Sequence, residues 1–191
     1  MYMRWNHGIT CASGLLGVLL VSPLPAAEQR TFTSSKYGYR LRLPKTWNVS
    51  VSANGIPIFF NYDPKDALPQ GLFPEHGVDI RLIPFAVVQP ITKGDSLKEW
   101  IQFNSALGYS NMVIRQLPTP NRSERTPVDV VVVHADYQRD PQDEVWERAT
   151  DYYFTLHGER FRLMLEYWKG DPQSAYFESV VDSIFRSIES R

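Results

Sequence analysis

The chain has 191 residues, 43% hydrophobic and 21% charged, with 20 basic against 21 acidic residues. This length fits one domain, and the charge balance lacks the basic excess of a dedicated nucleic-acid binder. No acidic or basic tail and no internal repeat is visible.

Residues 1–27 read as a secretory signal peptide. MYMRWNHG carries Arg4 and no acid, ITCASGLLGVLLV is a short apolar run, and SPLPAA supplies the small-residue end. The run is too short to cross about 30 Å of hydrocarbon at 1.5 Å per residue, so cleavage is expected, after Ala26 or Ala27, rather than a membrane anchor. Cys11 is the single cysteine and lies inside this segment. The domain expected over residues 28–191 therefore has no disulfide, no thiolate metal site and no cysteine nucleophile. An exported protein, periplasmic or extracellular, follows, with no transmembrane segment once the leader is removed.

In the mature chain, residues 31–34 read as a short edge strand. Tyr39, Leu41 and Leu43 alternate with Arg40 and Arg42, the period of a half-buried strand with its apolar side inward. Pro44 ends it, Trp47 is expected to plug one end of a sheet, and Asn54-Gly55 predicts a hairpin between strands 48–52 and 56–62.

Residues 63–77, DPKDALPQGLFPEHG, form a long loop rich in proline and glycine. Leu68, Leu72 and Phe73 are large apolar side chains among its turn formers. They fit a lid folded back over the sheet or a contact surface for a partner, and they are the candidate binding residues. Glu75, His76 and Asp79 at the end of the loop are a weak candidate metal set, with a spacing that matches no established site.

Val78, Ile80 and Leu82 alternate as a strand. Ser96-Leu97-Lys98-Glu99 is a capping-box sequence opening a helix whose apolar stripe runs through Leu97, Trp100, Ile101 and Leu107. Residues 111–117 and 128–137 read as strands. On the second of these, His134 and Asp136 share a face, the spacing of a carboxylate that orients an imidazole. No Gly-x-Ser-x-Gly elbow accompanies them, so a satisfied strand histidine is the preferred reading and a hydrolase the alternative.

Residues 145–156 and 160–168 form a hairpin turning at His157-Gly158. That register places Asp151 opposite Met164, whereas a one-residue slip would set it against Glu166. Asp171-Pro172 predicts the start of a final helix, with Asp171 as N-cap. Phe177, Val180, Val181, Ile184, Phe185 and Ile188 give it the strongest helical periodicity in the chain. Asp140, Asp143 and Glu144 lack the order of a calcium loop and read as a solvated hairpin end.

The fold class expected is α+β, an antiparallel sheet with helices on its faces. Tyr37-Gly38-Tyr39 leading through alternating residues to Pro44-Lys45-Thr46-Trp47 resembles the start of the PsbP-like fold. The long hairpin and the closing Val181-Asp182-Ser183-Ile184-Phe185-Arg186-Ser187 resemble its end. The family comprises extrinsic subunits of photosystem II and bacterial envelope relatives such as the DcrB-like proteins. The resemblance implies an α/β/α sandwich that binds other proteins, with no cofactor and no catalytic residue carried over. The leading expectation is an exported, non-enzymatic accessory domain with a protein partner. The alternatives are a small-ligand or lipid carrier with a pocket under the 63–77 loop and a hydrolase using His134 and Asp136.

Overall fold

The structure is a computed structural model and describes residues 29–68, 73–88, 102, 109–118, 125–138 and 146–191. The segment read as the signal peptide, the stripe residues Leu97, Trp100, Ile101 and Leu107 of the expected helix, and the Asp140 acidic cluster lie outside the described residues, as does Leu72.

Two antiparallel sheets are present among the described residues, where the alternation along the sequence suggested one. The smaller is ordered β1 (Gln29–Ser34), β2 (Tyr39–Pro44), β10 (Glu189–Ser190). The larger has seven strands. Its first edge is β3 (Asn48–Val51), followed by β4 (Pro57–Phe60) and β5 (Val78–Pro84). Then come β9 (Glu159–Trp168), β8 (Glu147–Leu156), β7 (Val128–Tyr137) and, at the far edge, β6 (Tyr109–Gln116). A helical turn, α1 (Phe85–Val88), follows β5, and α2 (Ser174–Arg186) closes the chain before β10.

The β2 sequence acts as its alternation requires. Tyr39, Leu41 and Leu43 are fully buried while Arg40 and Arg42 face solvent, and Trp47 is buried as well. Two sheets arise because β2 pairs with β1 and with the C-terminal β10, not with β3. Pro44 and the following turn redirect the chain, so β2 faces the large sheet: Tyr39 meets Phe161 edge-on at 5.8 Å and Phe32 meets Phe59 at 5.3 Å.

The β8–β9 hairpin has the register that keeps Asp151 away from Glu166, with Thr155 opposite Arg160 and Asp151 opposite Met164. His157 and Gly158 both take positive φ (51° and 75°), as a two-residue turn of this hand demands. Tyr152, Phe154, Phe161, Leu163 and Leu165 then share the face that receives α2. Phe185 stacks on Tyr152 at 4.5 Å, and Phe177 packs on Tyr167 at 5.7 Å. The helix stops at Arg186, short of Ile188. Ile188 is nonetheless buried, because the chain turns there into β10.

The opposite face of the large sheet carries a feature that periodicity hides. Asp151 and Arg162 are buried side by side at 2.8 Å, and Arg162 also bonds the Tyr109 hydroxyl. Burial opposes the Arg162 charge, but Asp151, with Tyr109 and Tyr153, outweighs it and holds its pKa above the usual value. Farther along, Asp79 lies directly opposite Glu166, and Arg81 bonds Asp79 at 3.0 Å. Burial again opposes the Arg81 charge, and the fields of Glu166 and Asp79 more than offset it.

Candidate functional site

The ends of β8 and β9 meet the 63–77 loop at one end of the large sheet. Glu147 pairs with Trp168, and the Lys169 amide donates to the Trp146 carbonyl at 2.9 Å, so the two tryptophans occupy successive rungs at the open end of the hairpin. Gly170, at φ 87°, then turns the chain toward α2 in a conformation that side chains resist.

Asp171 fixes this turn. Its carboxylate accepts from the Gln173 amide at 2.7 Å and from His76 Nδ1 at 3.0 Å, with the side chain almost wholly buried. Asp171 thus caps the approach to the helix, whereas the helix itself begins at Ser174, two residues later than the Asp-Pro signal suggests. An ionised carboxylate only accepts, so Nδ1 of His76 carries the proton and Nε2 is left toward Glu75, 3.8 Å away. His76 is held at φ 59°, a conformation maintained by the loop's own bonds: the Gly77 amide donates to the Pro74 carbonyl at 2.8 Å.

The result is an open cleft of about 1050 Å³ bounded by Leu68, His76, Trp146, Trp168, Lys169 and Asp171. Its walls mix aromatic and charged groups. The Lys169 ammonium lies 5.6 Å from the centre of the Trp146 ring and donates to Asp136 at 2.9 Å. Leu68 and Trp146 are 43% and 37% exposed, unusual for side chains of this size, and both line the cleft.

The candidate loop residues separate into two roles. Phe73 is fully buried, packed against Trp168 at 5.1 Å, and the indole N–H of Trp168 donates to the Pro74 carbonyl at 3.3 Å. Phe73 therefore anchors the loop to the sheet and presents nothing to a partner, a correction to its candidacy as a contact residue. Leu68 is on the exposed arm. Among the loop's described residues, Pro64–Asp66 form a 3-10 turn capped by Asp63, whose carboxylate accepts from the Lys65 amide at 3.0 Å.

The metal candidates Glu75, His76 and Asp79 do not converge. His76 is bonded to Asp171, whereas Asp79 accepts from the Tyr62 hydroxyl at 2.8 Å and from Arg81. Among the described residues no three histidine or acidic side chains gather as metal ligands.

Nor do His134 and Asp136 form a working pair. Thr150 donates its one hydroxyl proton to Glu178 at 2.7 Å, so His134 Nδ1, 3.0 Å from the same oxygen, must be the donor there. Tyr167 completes this polar seam beneath α2 by donating to Glu178 at 2.9 Å. Asp136 instead serves Lys169, Asn111 and Arg148 at 2.9, 2.9 and 3.1 Å. Burial works against the Asp136 charge, yet those three partners hold its pKa below the usual carboxylate value.

The sequence reading missed the pairing of His76 with Asp171. They are 95 residues apart, and local spacing carries no trace of the contact.

No protein-family model matches the chain, and no curated protein sequence matches it. Solved structures do. A protein of Bacteroides thetaiotaomicron matches over 86% of this chain at 12% identity with a TM-score of 0.48, and the chain spans about half (49%) of that protein's length. The solution structure of cyanobacterial PsbP from Synechocystis matches over 93% of this chain and 100% of its own, at 15% identity with a TM-score of 0.46. The second is a member of the family that the motifs at the two ends of this chain resemble.

Proposed function

We propose that the chain is an exported, non-enzymatic accessory domain of the cell envelope. In this reading a PsbP-like sandwich carries a protein-binding cleft between the 63–77 loop and the 168–172 turn. The exposure of Leu68 and Trp146 on the rim of a cleft that is otherwise rigidly tied carries the reading. Apolar and aromatic side chains held out by a fixed scaffold lose little conformational entropy on docking, and tryptophan is among the residues that dominate binding energy at interfaces. The fixed parts are visible: Phe73 under the loop, Asp171 joining loop to helix, and Asp136 securing Lys169. Export rests on the leader-like residues 1–27. The described residues contain no helix long and apolar enough to cross a membrane. A non-catalytic role is supported by the occupation of His134 and Asp136 with separate partners.

A small-ligand carrier is the second reading, favoured by the volume of the cleft beneath the loop, which is at the upper end of ligand pockets. Affinity capture from envelope extracts separates the two. The wild-type protein should retain a protein partner that a Leu68→Asp, Trp146→Ala variant of equal melting temperature releases. Equal recovery by both would refute the cleft as the protein-binding site. A small molecule copurifying with the wild type alone would establish the carrier in its place.

A further inference from the structure

The far edge of the large sheet is built as an interior strand. In β6, Met112, Val113 and Ile114 are 37%, 49% and 53% exposed, a run of three apolar residues whose side chains alternate between the two faces. Ile114 lies opposite Val133, which is buried, and Val113 opposite His134, which is half-buried next to the buried Val132 rung, so each continues a face that β7 at least partly covers. A solvated edge has no use for apolar side chains on both faces, whereas a strand flanked on both sides does.

The backbone specifies what kind of neighbour fits. The Leu117 amide donates to the Val130 carbonyl at 2.9 Å, so residues 113, 115 and 117 turn their peptide groups toward β7. Ile114 and Gln116, out of phase with these, turn theirs outward. Among the described residues no strand flanks β6 on that side. The irregularity between Ser110 and Val113, with Asn111 at φ 50°, bends only the beginning of the strand; from Val113 to Gln116 the pairing with β7 is one to one.

We propose that β6 is a dimerisation edge, where two copies of this chain pair their β6 strands antiparallel about Ile114 and join their seven-stranded sheets. The occupant is a second copy because the strand complements itself. A two-fold axis perpendicular to the sheet at Ile114 sets Ile114 against Ile114 as a doubly hydrogen-bonded pair. It places Val113 beside the aliphatic stem of Arg115, with no like charges directly opposed. This surface is separate from the cleft, which the loop and the 168–172 turn build at the strand ends.

Sedimentation equilibrium on the protein purified from the producing cells tests the proposal. The wild type should be a dimer, and Ile114→Lys should raise the dissociation constant by about tenfold or more through opposed charges at the axis. Val51→Lys, on the other edge strand, should leave the dimer unchanged. Circular dichroism checks the fold of each variant. Should Ile114→Lys not fold, Ile114→Cys in a Cys11→Ala background decides. The Cα separation of such a pair is about 5.5 Å, inside the disulfide range, so oxidised glutathione should link the two copies. A monomeric wild type, a folded Ile114→Lys protein that remains fully dimeric, or an Ile114→Cys protein that does not cross-link would each overturn the proposal.

Discussion

Replacing Phe73 by alanine should cost the domain about 3–5 kcal/mol, the range for deleting a fully buried phenylalanine ring. Phe73 is at 0% exposure and its ring centre lies 5.1 Å from that of Trp168, so the change also removes an aromatic contact of about 0.5–1.5 kcal/mol already included in such totals. The effect should extend into the cleft. Trp168 would lose its support, and with it the bond from its indole to the Pro74 carbonyl that holds the loop at its base. Leu68→Ala is the internal control. At 43% exposure Leu68 lies on the free arm, and its truncation should change stability by less than about 1 kcal/mol. Urea unfolding of both variants, followed by tryptophan fluorescence, gives the two numbers. A loss below about 1 kcal/mol for Phe73→Ala, or an equal loss for Leu68→Ala, would refute the division of the loop into an anchored foot and an exposed arm.

Four further outcomes follow from the same contacts. Phe185→Ala should cost about 3–5 kcal/mol in denaturant unfolding, since the ring stacks on Tyr152 and meets Phe154 edge-on at 5.5 Å. Asp151→Ala should cost about 3–5 kcal/mol because it removes the carboxylate that pairs with a buried guanidinium, whereas Asp151→Leu with Arg162→Met should recover most of that loss in a double-mutant cycle. Asp136 has a folded pKa below its unfolded value, so its stabilising contribution is complete above about pH 4 and disappears as pH falls through the folded pKa; Asp136→Asn should flatten that acid limb in melting curves taken between pH 5 and pH 2. His134→Ala should leave partner capture intact and lower stability modestly, by about 1–3 kcal/mol, through loss of the bond from His134 to the buried Thr150 hydroxyl.

Local patterns in the chain specify the elements with accuracy where the apolar period is unbroken. The alternation of Tyr39, Leu41 and Leu43 and the helical stripe from Phe177 to Phe185 translate directly into buried faces, because burial of one side of a strand or helix is enforced residue by residue. The His157-Gly158 turn was legible for a different reason: only residues that accept positive φ fit a two-residue loop, and a like-charge clash excluded the slipped register.

Partition into two sheets was not legible, since β10 contributes only Glu189 and Ser190, too few residues to show a period. Charge on the second face of the large sheet was equally hidden. Asp79, Asp151, Arg162 and Glu166 occupy the polar positions of alternating strands, so each reads as a solvated residue until a neighbouring element buries it. The cleft shows the same limit. Leu68, Phe73 and His76 could be singled out by composition, but whether each points in or out depends on Trp168 and Asp171, about a hundred residues downstream.

The claim that the cleft binds a protein is tested most directly by photo-crosslinking in the producing cell. A photoreactive residue at Leu68, on the cleft rim, should form a discrete higher-mass adduct with another protein. The same residue at Val51, exposed on the opposite edge strand, should not. Adducts from Val51 with none from Leu68 would contradict the account.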